Sequence, residues 1–455
     1  MVRPTSRMPG MELHVRPSSV SGSVAIPGSK SHTIRALLVG SLAEGTSNLL
    51  APLDSDDTSA CVAACRAFGA EIDTSGDQWR VTGVAGKPVV PEAVVDVGNS
   101  GTTLYLTMAT AGLVAGWTVF TGDAQIRSRP AEPLLAALRQ LGCQAQSKLG
   151  NGCAPLVVRG PMRGGAVRLD GSKSSQYVSS LLLNCSLAEE DTVLRVDDPV
   201  ELPYIEMTLG WLSEQGIEVN RQGSTRFALP GGQRYRAFTK RIPADFSSAT
   251  FFLCAAAVTG SELTLVGLDM NDIQGDKAVV EMLAAMGAET EQLPAGIRIR
   301  GGELRGTELD LNATPDALPA LAVTACFAEG ETRLINVAQA RLKETDRIRV
   351  MREELTKLGG EVEELSDGLV IRGRPLKGGA VHGHHDHRVV MALAVAGLGA
   401  EGTTVVDTAE AAAVTFPNFV ELMQRVGASM SVRGLECAHR QDHSARPANT
   451  GTMRC

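Results

Sequence analysis

Six glycines recur along the chain at nearly regular intervals, each where an amphipathic helical segment passes into a strand-like one. They stand at positions 69, 142, 216, 287, 359 and 427, which gives intervals of 73, 74, 71, 72 and 68 residues. Glycine ends helices well because it adopts positive φ without a steric penalty. Six copies of one signature at so regular a spacing predict six similar α/β units.

The length of the chain indicates how these units are distributed. Because 455 residues exceed the size at which one core usually keeps growing, we expect two domains of three repeats each. We place the N-terminal domain at 29–243 and the C-terminal domain at 11–28 plus 244–432. The chain then crosses between domains near 27–29 and near 243–246. Residues 1–10 and the tail 433–455 lack periodicity and are predicted to be disordered.

Composition excludes several classes of partner. The net charge of −8 and the pI near 5.6 argue against nucleic acid or an anionic membrane surface. The longest apolar runs, such as 318–328, are too short to span a bilayer. No apolar signal segment occurs in residues 1–10, and the nine cysteines are scattered in a pattern typical of reduced thiols. We therefore predict a cytoplasmic protein.

Three charged segments lie far apart in the chain. The densest, residues 341–347 (RLKETDR), contains one ammonium, two guanidiniums and two carboxylates. Alone it is more typical of a solvated helix face, whose ion pairs contribute about 0.3–0.5 kcal/mol each. Residues 27–31 (PGSKS) with Arg35, and residues 386–388 (DHR), add further cations. Together the three segments indicate a basic site for a small anion inside an acidic protein.

These segments belong to a longer series of motifs in a fixed order. With them the chain resembles the enolpyruvyl transferases from about residue 11 to residue 430, and within that family the members that act on shikimate 3-phosphate. The resemblance implies an α/β (α+β) fold, a two-domain inside-out α/β barrel of six βαβαββ-like units. The motifs are PGSKS at 27–31 with Arg35, DSDD at 54–57, GNSGT at 98–102, RP at 129–130, DGSKSSQ at 170–176, DFSSA at 245–249, QGD at 274–276, PDA at 315–317, KETDR at 343–347 and DHR at 386–388.

The resemblance also implies a reaction. The enolpyruvyl group of phosphoenolpyruvate is transferred to the 5-hydroxyl of shikimate 3-phosphate, and phosphate is released by addition and elimination. The expected partners are phosphoenolpyruvate and a phosphorylated acceptor alcohol, without a cofactor or metal. A monomer is expected, since two domains of one chain already supply a cleft.

Phosphoenolpyruvate carries a carboxylate and a phosphate, so its site needs several fixed cations. Arginine suits such a site because its planar guanidinium binds oxyanions in a bidentate manner. The residues implied for phosphoenolpyruvate are Lys30, Gly101, Thr102, Arg129, Gln176, Arg347 and Arg388.

The acceptor site is implied to include a serine pair that can also cap a helix. The two roles are compatible, because helix N-termini favour anions. The residues implied for the acceptor are Lys30, Ser31, Arg35, Ser174, Ser175, Gln176, Tyr204, Asp316, Gln339 and Lys343.

The implied chemistry needs a base for the acceptor hydroxyl and an acid for the vinyl methylene. Asp316 is the candidate base, with Lys343 directed at the same hydroxyl and Lys30 a further catalytic cation. Glu344 is the candidate proton donor and later acceptor. A carboxyl that donates a proton at neutral pH needs a raised pKa, so we expect a poorly hydrated cleft that closes between the domains.

Four of the eight histidines stand close together, at 382, 384, 385 and 387. Alternate histidines can ligate zinc. The implied reaction needs no metal, however, and His387 alone belongs to a motif, so we predict no metal site. We expect the other three to lie on a loop.

Two positions depart from the family pattern. One is Val414, where some members have a lysine that contacts phosphoenolpyruvate and others do without it. The other bears on the acceptor. Many members have a serine that contacts the acceptor's phosphate where this chain has Glu201, just before Pro203 and Tyr204. Either Glu201 points away from the site, or the acceptor differs. The alternatives are an enolpyruvyl transferase acting on a nucleotide such as UMP or on UDP-N-acetylglucosamine. The latter is disfavoured because residues 122–129 lack a cysteine. More distant alternatives are an RNA 3′-phosphate cyclase and a non-catalytic binding module.

Overall fold

A computed structural model describes residues 10–434 of the chain. Within that range the chain forms twelve α-helices. They are Lys30–Leu42 (α1), Asp56–Ala67 (α2), Gly101–Ala111 (α3), Glu132–Gln140 (α4), Ser175–Cys185 (α5), Leu202–Glu214 (α6), Phe246–Thr259 (α7), Ala278–Ala285 (α8), Leu318–Cys326 (α9), Arg347–Lys357 (α10), His387–Gly399 (α11) and Phe419–Arg425 (α12).

The same range contains twenty-four strands and five short 3₁₀ helices. The strands are Met11–Arg16 (β1), Ser21–Ala25 (β2), Thr46–Leu50 (β3), Glu71–Asp73 (β4), Gln78–Thr82 (β5), Val95–Asp96 (β6), Thr118–Thr121 (β7), Gln144–Ser147 (β8), Leu156–Arg159 (β9), Gly165–Asp170 (β10), Thr192–Asp197 (β11), Asn220–Gln222 (β12), Arg226–Leu229 (β13), Thr239–Arg241 (β14), Glu262–Val266 (β15), Glu289–Leu293 (β16), Gly296–Arg300 (β17), Glu308–Asp310 (β18), Glu331–Ile335 (β19), Glu361–Leu365 (β20), Gly368–Arg372 (β21), Ala380–Val381 (β22), Thr404–Val406 (β23) and Ser429–Gly434 (β24). The 3₁₀ helices are Ile126–Ser128, Gly275–Lys277, Pro315–Ala317, Ala338–Leu342 and Ala409–Val414.

Each of the six repeat glycines follows the last turn of an even-numbered helix. All six have positive φ, from +72° at Gly216 to +111° at Gly287. Each therefore ends its helix in a conformation that side-chain-bearing residues adopt at a steric cost. The glycine signature is confirmed as a helix terminator.

The strands of residues 10–434 form six sheets of four strands with one shared pattern. In each sheet an edge strand runs parallel to its neighbour, and the other two pairings are antiparallel. The strand orders are β14-β3-β5-β4, β6-β7-β9-β8, β10-β11-β13-β12, β2-β15-β17-β16, β18-β19-β21-β20 and β22-β23-β1-β24. The predicted βαβαββ unit is confirmed, and the first strand, β1, completes the last unit.

The helix that follows the edge strand in each unit is buried. These six helices, α1, α3, α5, α7, α9 and α11, are lined almost throughout by buried residues. Sheets that enclose helices are the inside-out arrangement that the resemblance implied, which confirms the fold class. The consequence for function is that the helix N-termini point toward one region of the molecule, described below.

Two apolar cores divide the described chain. One contains residues between 34 and 242, and the other contains residues between 13 and 26 together with residues between 244 and 430. The two crossing segments lie side by side, since Ser29 donates to the carbonyl of Pro243 (2.8 Å) and Asp245 donates to that of Pro27 (2.9 Å). We propose that each core belongs to one domain, with the boundaries predicted above.

The two crossings exchange strands between the halves. Strand β2 leads into α1 but pairs with β15, which follows α7. Strand β14 leads into α7 but pairs with β3, which follows α1. The two halves are thus joined by sheet hydrogen bonds as well as by the chain.

The predicted disordered ends need one correction. Arg433 and Gly434 belong to β24, because they pair with Glu12 and Met11 at the start of β1. Gly10 is described and lies in no helix or strand, and residues 1–9 and 435–455 lie outside the described residues. Among the helices of residues 10–434, none has the length and apolar character to cross a membrane.

Two repeat glycines provide a matched test of the helix terminator. A Cβ at Gly287 would lie 2.5 Å from the carbonyl oxygen of Glu303, whereas one at Gly359 would meet nothing within 4 Å. Both have positive φ, so alanine at either position costs about 1 kcal/mol of conformational strain. We expect Gly287→Ala to lower the thermal unfolding midpoint clearly more than Gly359→Ala, because it also clashes with backbone. Equal shifts would contradict this account.

Candidate active site

A deep cleft lies where the N-termini of several helices from both halves meet. The residues that line it come from α1, α2, α3, α5, α6, α10 and α11 and from the turns before α4, α9 and α10. They are Lys30, Ser31, Arg35, Asp57, Gly101, Thr102, Arg129, Gln176, Glu201, Tyr204, Asp316, Lys343, Glu344, Arg347, His387 and Arg388. Thirteen of these sixteen were predicted as site residues. The positive ends of helix dipoles make such a place suited to anions.

The predicted arginines are buried and paired with carboxylates. Arg347, which is 1% exposed, donates to Asp316 (2.8 Å), Glu344 (2.6 Å) and Asp386 (2.8 Å). Arg388 contacts the other oxygen of Asp316 at 2.8 Å. Burying a charge costs several kcal/mol unless a partner compensates it. The paired carboxylates therefore offset the cost of burying these guanidiniums.

Arg129 enters the cleft next to α3. A Cβ at Gly101 would lie 1.9 Å from an Nη atom of Arg129, so the glycine makes room for the guanidinium. Arg129 itself contacts Glu344 at 2.5 Å, across the two halves of the chain. Lys30, at the start of α1, pairs with Asp57 at 3.1 Å. Sequence reasoning assigned no role to Asp57, although the DSDD motif contains it.

Several contacts close the cleft from opposite sides. Besides Arg129 and Glu344, Lys343 pairs with Glu201. The Tyr204 hydroxyl donates to Asp276 (3.2 Å), and Gln125 donates to the carbonyl of His384 (3.2 Å). Each pair joins a residue before 243 to one after 243. The cleft is thus held between the two halves by charges and hydrogen bonds.

The expected raised pKa of Glu344 is wrong for this state of the cleft. Burial raises the pKa of this carboxyl, but the charges of Arg129 and Arg347 outweigh burial and hold it well below its usual value. The pKa of Asp316 is also held well below its usual value, because Arg388, Lys343 and Arg347 outweigh its burial. Both groups are carboxylates at neutral pH.

Asp276 titrates differently from these two carboxylates. Burial and the charge of Asp316 raise its pKa to about 6. Its side chain accepts from Ser247 and from Tyr204. Asp276 belongs to the QGD motif, but its contact with the predicted acceptor residue Tyr204 was not foreseen.

Five of the predicted acceptor residues line the cleft at its N-terminal wall. Arg35 is 1% exposed and donates to Thr208 (2.9 Å) and to the carbonyl of Tyr204 (3.1 Å), which fixes the start of α6. Burial lowers its pKa to about 10, so it remains a cation. Three of these five, Ser31, Arg35 and Tyr204, were implied for the acceptor alone. The other two, Lys30 and Gln176, were implied for both substrates.

Three predicted acceptor residues lie behind the lining. The Ser174 hydroxyl caps α5 by accepting from the amide of Gln176 (3.2 Å). The Ser175 hydroxyl donates to Glu201 (2.8 Å), and the Gln339 side chain donates to the carbonyl of Asn312 (3.1 Å). Their roles toward a ligand stay predictions.

Glu201 points into the cleft, so the explanation that it points away is wrong. It is 1% exposed and lies at the start of α6 with φ of +54°. One carboxylate oxygen accepts from Ser175 and the other from Lys343. The sequence could not show this, because the contacts join three distant segments.

Three of the clustered histidines lie on the loop before α11, as expected. Each contacts a different carboxylate: His382 faces Asp407 (2.5 Å), His384 faces Glu354 (2.8 Å) and His385 faces Glu410 (3.7 Å). His384 and His385 also have positive φ. The loop is therefore anchored at three points beside the cleft.

His387 is a buried cleft residue that sequence reasoning left without a role. Neither of its ring nitrogens has a hydrogen-bond partner within residues 10–434, and the same holds for one side-chain oxygen of Gln176 and one of Asp57. Buried polar atoms are normally paired. Their concentration in the cleft indicates a place for polar ligand atoms.

The fold and the cationic cleft with its paired carboxylates are those of an enzyme for small anionic substrates, and comparisons with known proteins identify the family. The family model described as EPSP synthase (3-phosphoshikimate 1-carboxyvinyltransferase) matches residues 15–423. The chain belongs to the EPSP synthase family, as the resemblance indicated.

Individual relatives match almost the whole chain. A 3-phosphoshikimate 1-carboxyvinyltransferase of Acetivibrio thermocellus is 54% identical over 92% of this chain and 99% of its own. One from Methanocella arvoryzae is 46% identical over 93% and 100%. The structure of EPSP synthase from Acinetobacter baumannii superposes with a TM-score of 0.79 at 30% identity, over 93% of this chain and 100% of that one.

His387 gives a test of the cleft's electrostatics. Burial and the neighbouring Arg388 and Lys30 outweigh the carboxylates and lower its pKa from 6.5 to about 3. We expect its imidazole NMR signals, assigned with His387→Gln, to stay unchanged between about pH 8 and pH 5. In that window the unfolded chain takes up a proton that folded His387 does not, so this residue reduces stability as pH falls. A midpoint near 6.5 would contradict the buried neutral imidazole.

Proposed function

We propose that this protein transfers the enolpyruvyl group of phosphoenolpyruvate to the 5-hydroxyl of shikimate 3-phosphate and releases phosphate. The observation that carries the proposal is the meeting of Arg129, Arg347 and Arg388 with Asp316 and Glu344 in one closed cleft. This arrangement combines fixed cations for a polyanion with two carboxylates for proton transfer. The names of the relatives support the same activity.

Phosphoenolpyruvate binds by replacing internal carboxylates on the cations. Arg129 and Arg347 both hold Glu344, at 2.5 Å and 2.6 Å. The phosphate and carboxylate of the substrate offer the same guanidiniums stronger, bidentate partners. Lys30 and Arg388 line the same cleft, so they add positive charge around the bound substrate.

This exchange gives Glu344 the pKa that its role requires. In the free cleft the two arginines hold its pKa low. Once substrate anions neutralise these arginines, burial becomes the dominant influence and raises the pKa. Glu344 can then take up a proton and deliver it to the methylene carbon of phosphoenolpyruvate.

The proton balance assigns Asp316 the opposite task. The hydroxyl oxygen of the acceptor attacks the central carbon of phosphoenolpyruvate, and Asp316 accepts the hydroxyl proton. Lys343 stabilises the negative charge that develops on the attacking oxygen. The resulting tetrahedral adduct carries a methyl group. Glu344 takes a proton back from that methyl as the carbon–oxygen bond to phosphate breaks, which restores the enol ether. The departing phosphate takes the proton that Asp316 accepted, so Asp316 is ionised again when phosphate is released.

The acceptor lies against the N-terminal wall of the cleft, near Ser31, Gln176 and Tyr204. The names of the relatives favour shikimate 3-phosphate over UMP and UDP-N-acetylglucosamine. Both walls of the cleft belong to one chain, which supports a monomer. A cytoplasmic location fits substrates of this kind and stays a prediction.

Phosphate release from phosphoenolpyruvate tests the activity directly. We expect purified protein to release phosphate with shikimate 3-phosphate, and not with UMP or UDP-N-acetylglucosamine, in parallel assays at equal concentrations. Release with one of the other acceptors and none with shikimate 3-phosphate would overturn the proposed acceptor. No release with any of the three would overturn the proposed reaction.

Glu344→Gln tests the proton transfer. The amide cannot donate an acidic proton, so we expect turnover to fall at least about 100-fold. The matched control is Glu353→Gln, which changes a partly exposed residue of α10 paired with Arg349. The control should keep wild-type turnover. Wild-type turnover in Glu344→Gln would remove Glu344 from the mechanism.

A further inference from the structure

Glu201 is seated on the N-terminus of α5 in the manner of a bound anion. One of its carboxylate oxygens accepts from the Ser175 hydroxyl at 2.8 Å and from the Ser175 amide at 3.4 Å. The other oxygen accepts from the Lys343 ammonium. A hydroxyl, a helix-terminal amide and an ammonium are together the donors that a phosphate group uses.

The backbone of Glu201 is held in an unfavourable conformation to achieve this. Its φ is +54° and its ψ +44°, in the left-handed region that few residues other than glycine and asparagine occupy. Its side chain makes no capping bond to α6, the helix that it precedes. The contacts to Ser175 and Lys343 are therefore what holds the carboxylate in the cleft.

The donors that Glu201 occupies are ones that the phosphorylated acceptor needs. Ser175 and Lys343 both belong to the residues assigned to the acceptor. Arg35 is not a free substitute, because its guanidinium is committed to Ser31, Thr208 and Tyr204. A phosphate and the Glu201 carboxylate cannot share Ser175 without strong repulsion between like charges.

We propose that the Glu201 carboxylate occupies the acceptor-phosphate subsite and is displaced when a phosphorylated acceptor binds. This inference rests on the proposed function. A phosphate carries up to two charges and three acceptor oxygens, so it competes with a single carboxylate for Ser175. An acceptor without a phosphate lacks the group that competes with the Glu201 carboxylate for Ser175, so it does not displace Glu201.

The displacement also frees Lys343. In the closed cleft the ammonium is bound to the same carboxylate that covers Ser175. When phosphate takes Ser175, Lys343 loses its partner and becomes available to the acceptor hydroxyl. Glu201 is thus a specificity residue that links recognition of the phosphate to release of a catalytic cation.

Calorimetric binding measurements test this with two variants and a matched control. Glu201→Gln keeps the size of the side chain and removes the charge, and Glu201→Ser removes both. The control is Glu206→Gln on the same helix, a partly exposed residue paired with Arg221. Each protein is titrated with shikimate 3-phosphate and with shikimate, after thermal unfolding has shown that it is folded.

We expect the Kd for shikimate 3-phosphate to fall about tenfold or more in at least one Glu201 variant, since a like charge is removed from the subsite. The Kd for shikimate should stay within about twofold of wild type, and Glu206→Gln should match wild type for both ligands. An unchanged or weaker affinity for shikimate 3-phosphate in both variants would overturn the inference. An equal gain for shikimate would overturn it too, because the effect would not depend on phosphate.

The outcome is separable from the proposed function. Wild-type protein that releases phosphate with shikimate 3-phosphate, while neither Glu201 variant binds this acceptor more tightly, contradicts the inference alone. Wild-type protein that releases none with this acceptor contradicts the proposed function, and the inference with it.

Discussion

The network of paired charges around Arg347 is the interaction on which the rest of the site depends. One buried guanidinium contacts Asp316, Glu344 and Asp386, and through them it is linked to Arg388 and Arg129. Each of these ions alone would cost several kcal/mol to bury. Together they form a compact set of alternating charges. A substrate anion can replace one of the carboxylates as the partner of a guanidinium, so that no buried guanidinium is left without a partner.

The repeated fold explains why such a set can be assembled at all. Each of the six units places one buried helix behind its sheet. The N-termini of these helices bring capping side chains toward the cleft, and α1 and α11 add Lys30 and Arg388 to its cations. Ser29, Ser100, Ser174, Asp245 and Asp386 cap five of them. Helix dipoles then favour anions in the space between, in addition to the side-chain charges. Strand exchange at the two crossings ties the two sets of helices together.

Sequence reasoning reached the features that depend on local chemistry. The glycines revealed six α/β units because each must adopt positive φ. The ordered motifs carried the resemblance that implied the βαβαββ form, and they located most of the cleft lining. It failed where the outcome depends on contacts between distant segments. The orientation of Glu201 depends on Ser175 and Lys343, and the low pKa of Glu344 depends on Arg129 from the other half. The strand role of residues 433–434 likewise depends on β1, more than 400 residues away in the chain.

A crystal structure of the protein with shikimate 3-phosphate and an unreactive phosphoenolpyruvate analogue tests the exchange of carboxylates for substrate anions most directly. We expect the guanidiniums of Arg129 and Arg347 to contact the analogue's oxygens and the direct contact between Arg129 and Glu344 to be lost. Ligands bound elsewhere, with the pairs Arg129–Glu344 and Lys343–Glu201 both intact, would contradict it.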